Sequence, residues 1–441
     1  MEQVTTKKTF RHYLYFLGGQ QFSMLGSQIV GFVITWWITI ETGSAIYLSL
    51  SVFLMFLPQI FVTPFSGVIA DRWNKKNIII FSDSMQAFAT FVLFACFIVD
   101  FQNIWFVLGM NTFRAGLYAF QYPTVQSLIP TMVPKDKLSR VNGINFLSAG
   151  IIFGVGPMIA ATLLAFFPVT QIFLLDVGTF IVALIPLLLI KIPTVHTVTE
   201  EATKKSMFKD FKTGLITIKM VPGLFAMIAL AMIWNFLSRP WFVLLPYFVR
   251  YTHEGSAFDL ALLMTASQVG NIVGSIIMSI KKTWKHKIKI NLIGASLYFI
   301  CMIPAILAPE GNFILMMIAL FPAWVLIPIT VSTYLAILQV VVSKDKQGRI
   351  MSIDHMISMA IAPIGALIAG PLAEIFGIVN LLLTCAIIGV IFPGFLWFFT
   401  KILHLEVIDR QKLAEVEELE EQREEEELAV KEVVEYIEPI E

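Results

Sequence analysis

Charge is scarce in this 441-residue chain. Asp, Glu, Lys and Arg make up 14% of it, where a soluble chain carries roughly 25%. With 57% hydrophobic residues, that shortage excludes a soluble enzyme and a nucleic-acid-binding module. Cysteine is also rare: Cys96, Cys301 and Cys385 each lie in an apolar run, which excludes a disulfide scaffold and reads as buried free thiols. No Walker-type glycine loop, His/Asp/Glu metal spacing, Ser/His/Asp order or filter-like loop occurs. ATP hydrolysis, a metal or other cofactor, enzymatic catalysis and a channel are therefore unsupported.

Long apolar runs are what the chain has in plenty. Ile78–Val99 and Ile172–Ile190 are each near 20 residues, the length that crosses a hydrocarbon core of about 30 Å. Such runs predict an all-α polytopic membrane protein of about twelve spans, at 12–40, 45–69, 77–99, 103–127, 139–166, 170–191, 221–250, 257–280, 288–308, 312–341, 350–373 and 378–401. Lys7, Lys8 and Arg11 precede the first run, but no small-residue cleavage site follows, so it reads as a first transmembrane helix and not a removable signal. Alternate connections carry Arg72/Lys75/Lys76, Lys135/Lys137/Arg140, Lys204/Lys205/Lys209/Lys212, Lys281/Lys282/Lys285/Lys287/Lys289 and Lys344/Lys346/Arg349, and the opposite ones carry Glu41, Asp100, Glu254 and Glu310, with Arg250 the obvious cation among them. Cations stay cytoplasmic during insertion, which places both termini in the cytoplasm.

Formal net charge is zero, yet Glu406 onward holds 15 acidic and 4 basic residues, leaving residues 1–405 at +11. The expected organisation is a six-helix bundle over 1–191, a cytoplasmic linker over 192–220, a second bundle over 221–402 and an acidic cytoplasmic tail over 403–441, read as solvated or marginally helical from Glu415 to Glu441. The two bundles share sequence. Val133-Pro-Lys-Asp-Lys-Leu-Ser-Arg140 returns as Val342-Ser-Lys-Asp-Lys-Gln-Gly-Arg349, identical at five of eight positions, and the same offset of 209 sets Gly156 on Gly365 and Ala160 on Ala369. Two such repeats are a transporter architecture with the substrate site between them at mid-depth.

Between spans two and three the chain reads Gly67-Val-Ile-Ala-Asp71-Arg72-Trp-Asn-Lys75-Lys76. An ordinary cytoplasmic loop accounts for the cations but not for Asp71 with Gly67. This segment resembles the signature loop of the major facilitator superfamily, and the twelve spans in two repeats extend the resemblance over the whole membrane body. By that resemblance Gly67, Asp71, Arg72, Lys75 and Lys76 form a conformational latch that breaks and reforms as the halves rock. Gly274 to Lys282, the counterpart in the second half, lacks the acid.

Arg114 lies near mid-membrane in span four, where a charge costs at least about 2.5–3.5 kcal/mol. It is similar to the superfamily's span-four arginine, associated with proton coupling; hydrogen bonding to backbone carbonyls is the alternative. Asp83 is the carboxylate proposed to work with it. Asp83, Asp354 and Asp176 all fall toward span ends, where partial solvation also accounts for them. In span five Gly143, Gly156, Pro157, Ala160 and Ala161 are similar to the helix-packing motif of drug antiporters, with Ala160-Ala161 in place of a glycine pair; generic packing explains them equally. Gln21 and Gln28, seven residues apart in span one, and Arg239, beside a Pro240 expected to break span seven, are the candidate substrate-cavity residues. Trp36, Trp37, Trp105 and Trp241 read as interfacial belts.

The branch most resembled is the bacterial macrolide-efflux-like group, through Glu41-Thr-Gly-Ser-Ala, the Asp71 loop and Tyr122-Pro-Thr onward to Leu138. The resemblance implies a proton-coupled antiporter in the plasma membrane that exports a bulky apolar, macrolide-like compound and so confers drug resistance. Its partners would be the bilayer, a small apolar substrate and protons, with no nucleic acid, and it would act as a monomer. Movement of a lysophospholipid or siderophore is the rival in the same class. A non-transporting sensor signalling through the acidic tail is the rival in a different one.

Overall fold

The computed structural model describes residues 7–190, 218, 221–281, 284–342, 344–408 and 411. No strand occurs among them, as expected where hydrocarbon leaves backbone groups no partner outside their own helix. Twelve long helices follow one another: α1 (Lys7–Thr42), α2 (Ala45–Arg72), α3 (Lys75–Ile98), α4 (Ile104–Gln126), α5 (Leu138–Phe166), α6 (Val169–Leu189), α7 (Leu224–Tyr247), α8 (Ala257–Ile280), α9 (Lys287–Ile306), α10 (Phe313–Val341), α11 (Lys344–Phe376) and α12 (Ile378–Phe399). Ten helices among the described residues are long and apolar enough to cross a membrane. The other two are α4, diluted by Asn111, Arg114 and Gln121, and α11, which opens on the basic repeat.

Helix starts are set by polar side chains. Asn74, Asn103 and Asn312 accept from free N–H groups in the first turns of α3, α4 and α10, and Ser256 with Asp259 closes a reciprocal cap on α8. Two expectations need correction here. Pro240 does not break α7, which runs through it; the irregularity is a π turn at Phe248–Thr252, just after Pro246, because packed neighbours tolerate an isolated proline within a spanning helix. The second concerns the tryptophans. Trp36, Trp37 and Trp241 are buried, with Trp37 edge-on to Phe97 and Phe97 edge-on to Phe173, and of the four expected in belts Trp105 alone is largely exposed.

The helices form two groups of six that meet along α2 with α11 and α5 with α8. At the lysine-bearing end each group has its own core. One gathers Tyr13, Phe16, Ile79, Met132 and Leu187, the other Leu224, Met227, Ile288, Ile337 and Ile350. Toward the opposite end the cores merge: Ile29, Val33 and Phe173 belong to one cluster with Trp241, Leu245 and Trp324, and Ala45 to another with Val243, Ala366 and Ala369.

The segment 192–220 lies outside the described residues except for Ile218, which is buried in the second core. Past α12 the chain turns back on the bundle. Ile402 and Leu405 are buried, and Glu406 accepts from the Ile288 amide at 2.9 Å while lying 3.3 Å from His286 Nδ1. A carboxylate at the N-terminus of α9 is favoured by the helix dipole. The first residues of the acidic tail thus pack on the fold, and Glu415–Glu441, the stretch expected to be solvated, lie outside the described residues.

Candidate functional site

Four helices of the first half bring polar residues into one buried network. Gln20 and Ser27 on α1 are seven residues apart, as are Asp83 and Thr90 on α3 and Arg114 and Gln121 on α4, so each pair shares a helix face. Arg114 Nη2 donates to Asp176 Oδ2 on α6 at 3.2 Å. Thr90 Oγ1 donates to the same oxygen at 2.8 Å, and Ser27 Oγ to the other at 3.2 Å. Arg114 is 7% exposed and Asp176 4%. Removing one partner from such a pair leaves a buried charge and costs about 3–5 kcal/mol. Asp176 is therefore not a partly solvated residue near a helix end, as expected, but the partner of Arg114.

Asp83 occupies a different environment one layer away. It is 4% exposed, and its oxygens accept from Gln20 Nε2 at 3.0 Å and from Gln121 Nε2. Gln121 also donates to Gln20 Oε1 at 3.1 Å and accepts from Gln86 Nε2 at 2.8 Å. No cation lies within ion-pair distance of Asp83 among the described residues. The carboxylate assigned beside Arg114 is thus held by neutral amides, and Gln86, Gln121, Thr90 and Ser27 complete a network that sequence reasoning missed.

The other candidates are spread along the bundle. Gln21 and Gln28 are partly buried, and a Cβ at Gly156 would lie 3.2 Å from Gln28 Cβ. The same pairing recurs in the second half, where a Cβ at Gly365 would lie 3.2 Å from Arg239 Cβ. Pro157, Ala160 and Ala161 are buried in α5, whereas Gly143 has open space around it. Lys76 Nζ donates to the carbonyls of Leu188 and Ile190 at 2.7 and 2.8 Å, closing the end of α6, and Lys75 reaches Ser127 O at 3.5 Å. These contacts of both lysines stay within the first half. α2 carries Gly67, Asp71 and Arg72, whose side chains lie outside the described residues.

Where the halves meet at the end opposite the lysines, two side chains of the second half grip the α1–α2 turn. Tyr251 Oη donates to Thr39 O at 3.1 Å, and Glu374 accepts from Ser44 Oγ at 2.5 Å and the Ile46 amide at 3.4 Å. The Ile46 amide is one that a helix start leaves free, whereas Thr39 O also accepts from the Gly43 amide at 3.1 Å. Nearer mid-depth Thr265 Oγ1 donates to Gly154 O at 2.7 Å.

A family described as transmembrane secretion effector matches residues 6–437. The chain belongs to that family. Members of this family are transporters of the major facilitator type, and this chain is accordingly a multi-pass transporter and not an enzyme. It is 24% identical to macrolide efflux protein A of Streptococcus pyogenes over 82% of this chain and 89% of that one. It is 23% identical to the staphyloferrin A transporter of Staphylococcus aureus over 85% of this chain and 92% of the relative. In fold it resembles a bacterial homologue of the human lysosomal transporter Spinster, solved inward-facing and unoccupied, with a TM-score of 0.63 at 14% identity over 91% of this chain and 98% of that one.

Proposed function

We propose that the chain exports a bulky apolar, macrolide-like compound across the bacterial plasma membrane by alternating access, in exchange for protons. The observation that carries this reading is the asymmetry between its ends: two separate cores at the lysine-bearing end, merged cores and inter-half hydrogen bonds toward the other. With the lysines and both termini cytoplasmic, this arrangement is closed to the outside and receives cargo from within. Rocking the halves would break the grip on the α1–α2 turn and close the cytoplasmic side, with Asp71 as latch.

Asp83 is the proton carrier in this reading. It meets only amides, so it exchanges a proton without breaking an ion pair, whereas Asp176 would first have to release Arg114. The Arg114–Asp176 pair holds α4 against α6 and fixes the frame in which Gln121 reports the state of Asp83. Gln21, Gln28 and Arg239 contribute to cargo contact. Siderophore movement is the second reading, favoured by the likeness to the staphyloferrin A transporter.

Proteoliposomes loaded with a fluorescent macrolide-like compound and given a pH gradient test the proposal. Wild type is expected to move the compound in a gradient-dependent way, Arg114→Ala to lose movement, and Asp83→Asn to retain downhill movement without response to the gradient. Movement indifferent to the gradient would reject proton coupling, and no movement with a panel of apolar drugs would shift the cargo to siderophores or lysophospholipids.

A further inference from the structure

Two arginines lie deep within the spans described above, and they are provided for differently. Arg114 has Asp176 as its counter-ion. Arg239, near the middle of the span Leu224–Thr252, has none: among the described residues no carboxylate lies within ion-pair distance of it, and none of its N–H donors makes a hydrogen bond. A guanidinium offers five donors in a planar fork. A structural arginine inside a membrane spends them on carboxylates or carbonyls. Arg239 is half-buried, with its Nε enclosed and unpartnered.

Its surroundings place it between the halves. The guanidinium carbon lies 5.5 Å from the ring centroid of Phe56 on α2, and Gly365 lets the side chain lie along α11, where a Cβ would also come within 3.5 Å of Phe236. The corresponding contact of the first half, Gln28 on Gly156, uses a neutral amide. Where the first half places a neutral amide, the second places a cation with the Phe56 ring over it. Intramembrane acids that might have served it are engaged elsewhere, Asp83 by two glutamines and Asp354 by Tyr334.

We propose that Arg239 is the anchor for an acidic group on the cargo, so that the compounds carried are amphiphiles with an apolar body and a carboxylate. This rests on the exporter part of that reading and replaces its macrolide-like cargo with an acidic amphiphile: the fork accepts a carboxylate through two parallel hydrogen bonds, and Phe56 covers the adjoining apolar part.

The test is binding to the purified full chain in detergent, followed by energy transfer from tryptophan to dansylated undecanoic acid or to its methyl ester, for wild type, Arg239→Gln and Arg239→Lys. Wild type is expected to bind the acid about tenfold more tightly than the ester, as a charge-assisted hydrogen bond supplies. Arg239→Gln should bring the acid down to the ester's affinity, and Arg239→Lys should restore part of the preference, which separates loss of charge from misfolding. Equal binding of acid and ester by wild type, an acid preference that survives Arg239→Gln, or no binding of either probe would overturn the assignment. Binding in detergent needs no gradient. An acid preference dependent on Arg239 in a protein that moves nothing in proteoliposomes would retain the anion site and reject the exporter.

Discussion

The Arg114–Asp176 pair puts a charged interaction where its loss is felt twice. Arg114→Ala strands Asp176 beside Thr90 and Ser27, donors that are neutral, and is expected to destabilise the protein by about 3–5 kcal/mol. Arg114→Met with Asp176→Leu removes both charges and should recover most of that stability without recovering transport. Thermal melting in detergent checks the first, and the proteoliposome assay the second. His253 makes a different pH argument. It follows the π turn of α7, 2% exposed between Phe248 and Phe313, whose ring centroids lie 4.7 and 5.9 Å away. Burial pushes its pKa below the ordinary value, against the opposing Pro309 carbonyl and Glu310 charge. A base with a depressed folded pKa stabilises fully above its unfolded pKa of about 6.5 and loses that contribution as pH falls below it. Melting temperature should therefore hold from about pH 8 to 7 and drop toward pH 5, a drop that His253→Phe removes.

At the scale of the helix, apolar runs of bilayer length are legible because each must satisfy its backbone alone, and α8 spans Ala257–Ile280 as the sequence indicates. Which way a helix is turned is not legible. Gln21 and Gln28 share a face, but Gln20 and Ser27, also seven apart, are the ones that meet Asp83 and Asp176. Spacing identifies faces without choosing among them, and α1 is buried on several sides. Asp176 is hidden for another reason: nothing in the sequence of α6 marks its partner, and only the packing of α1, α3 and α4 around α6 buries it. Gly370 shows what a small residue does between helices. A Cβ there would lie 2.5 Å from Ala45 O and 2.6 Å from Ser49 Oγ, backbone and side chain of α2 in the other half. Gly370→Val is expected to wedge α11 from α2. A cysteine placed at buried Ser51 should then react severalfold faster with a membrane-impermeant thiol reagent.

Over the whole molecule, the two ends are held by different means. The lysine-bearing end relies on two independent cores and on lysines that close helix ends within their own half. The opposite end is joined by the merged cores and by Tyr251 and Glu374, which bond to Thr39 O and the Ile46 amide from across the boundary, so opening it exposes shared apolar surface as well as breaking a few hydrogen bonds. The segment after α12 adds a further asymmetry. Ile402 and Leu405 fill the second core, and Glu406 caps α9. The first half can complete the core at its lysine-bearing end while ribosomes are still making the rest of the chain. The second cannot, because α9 waits for residues made more than a hundred positions later. During biosynthesis the start of α9 must spend that interval uncapped, and the second half, not the first, is where insertion machinery and quality control have most to do.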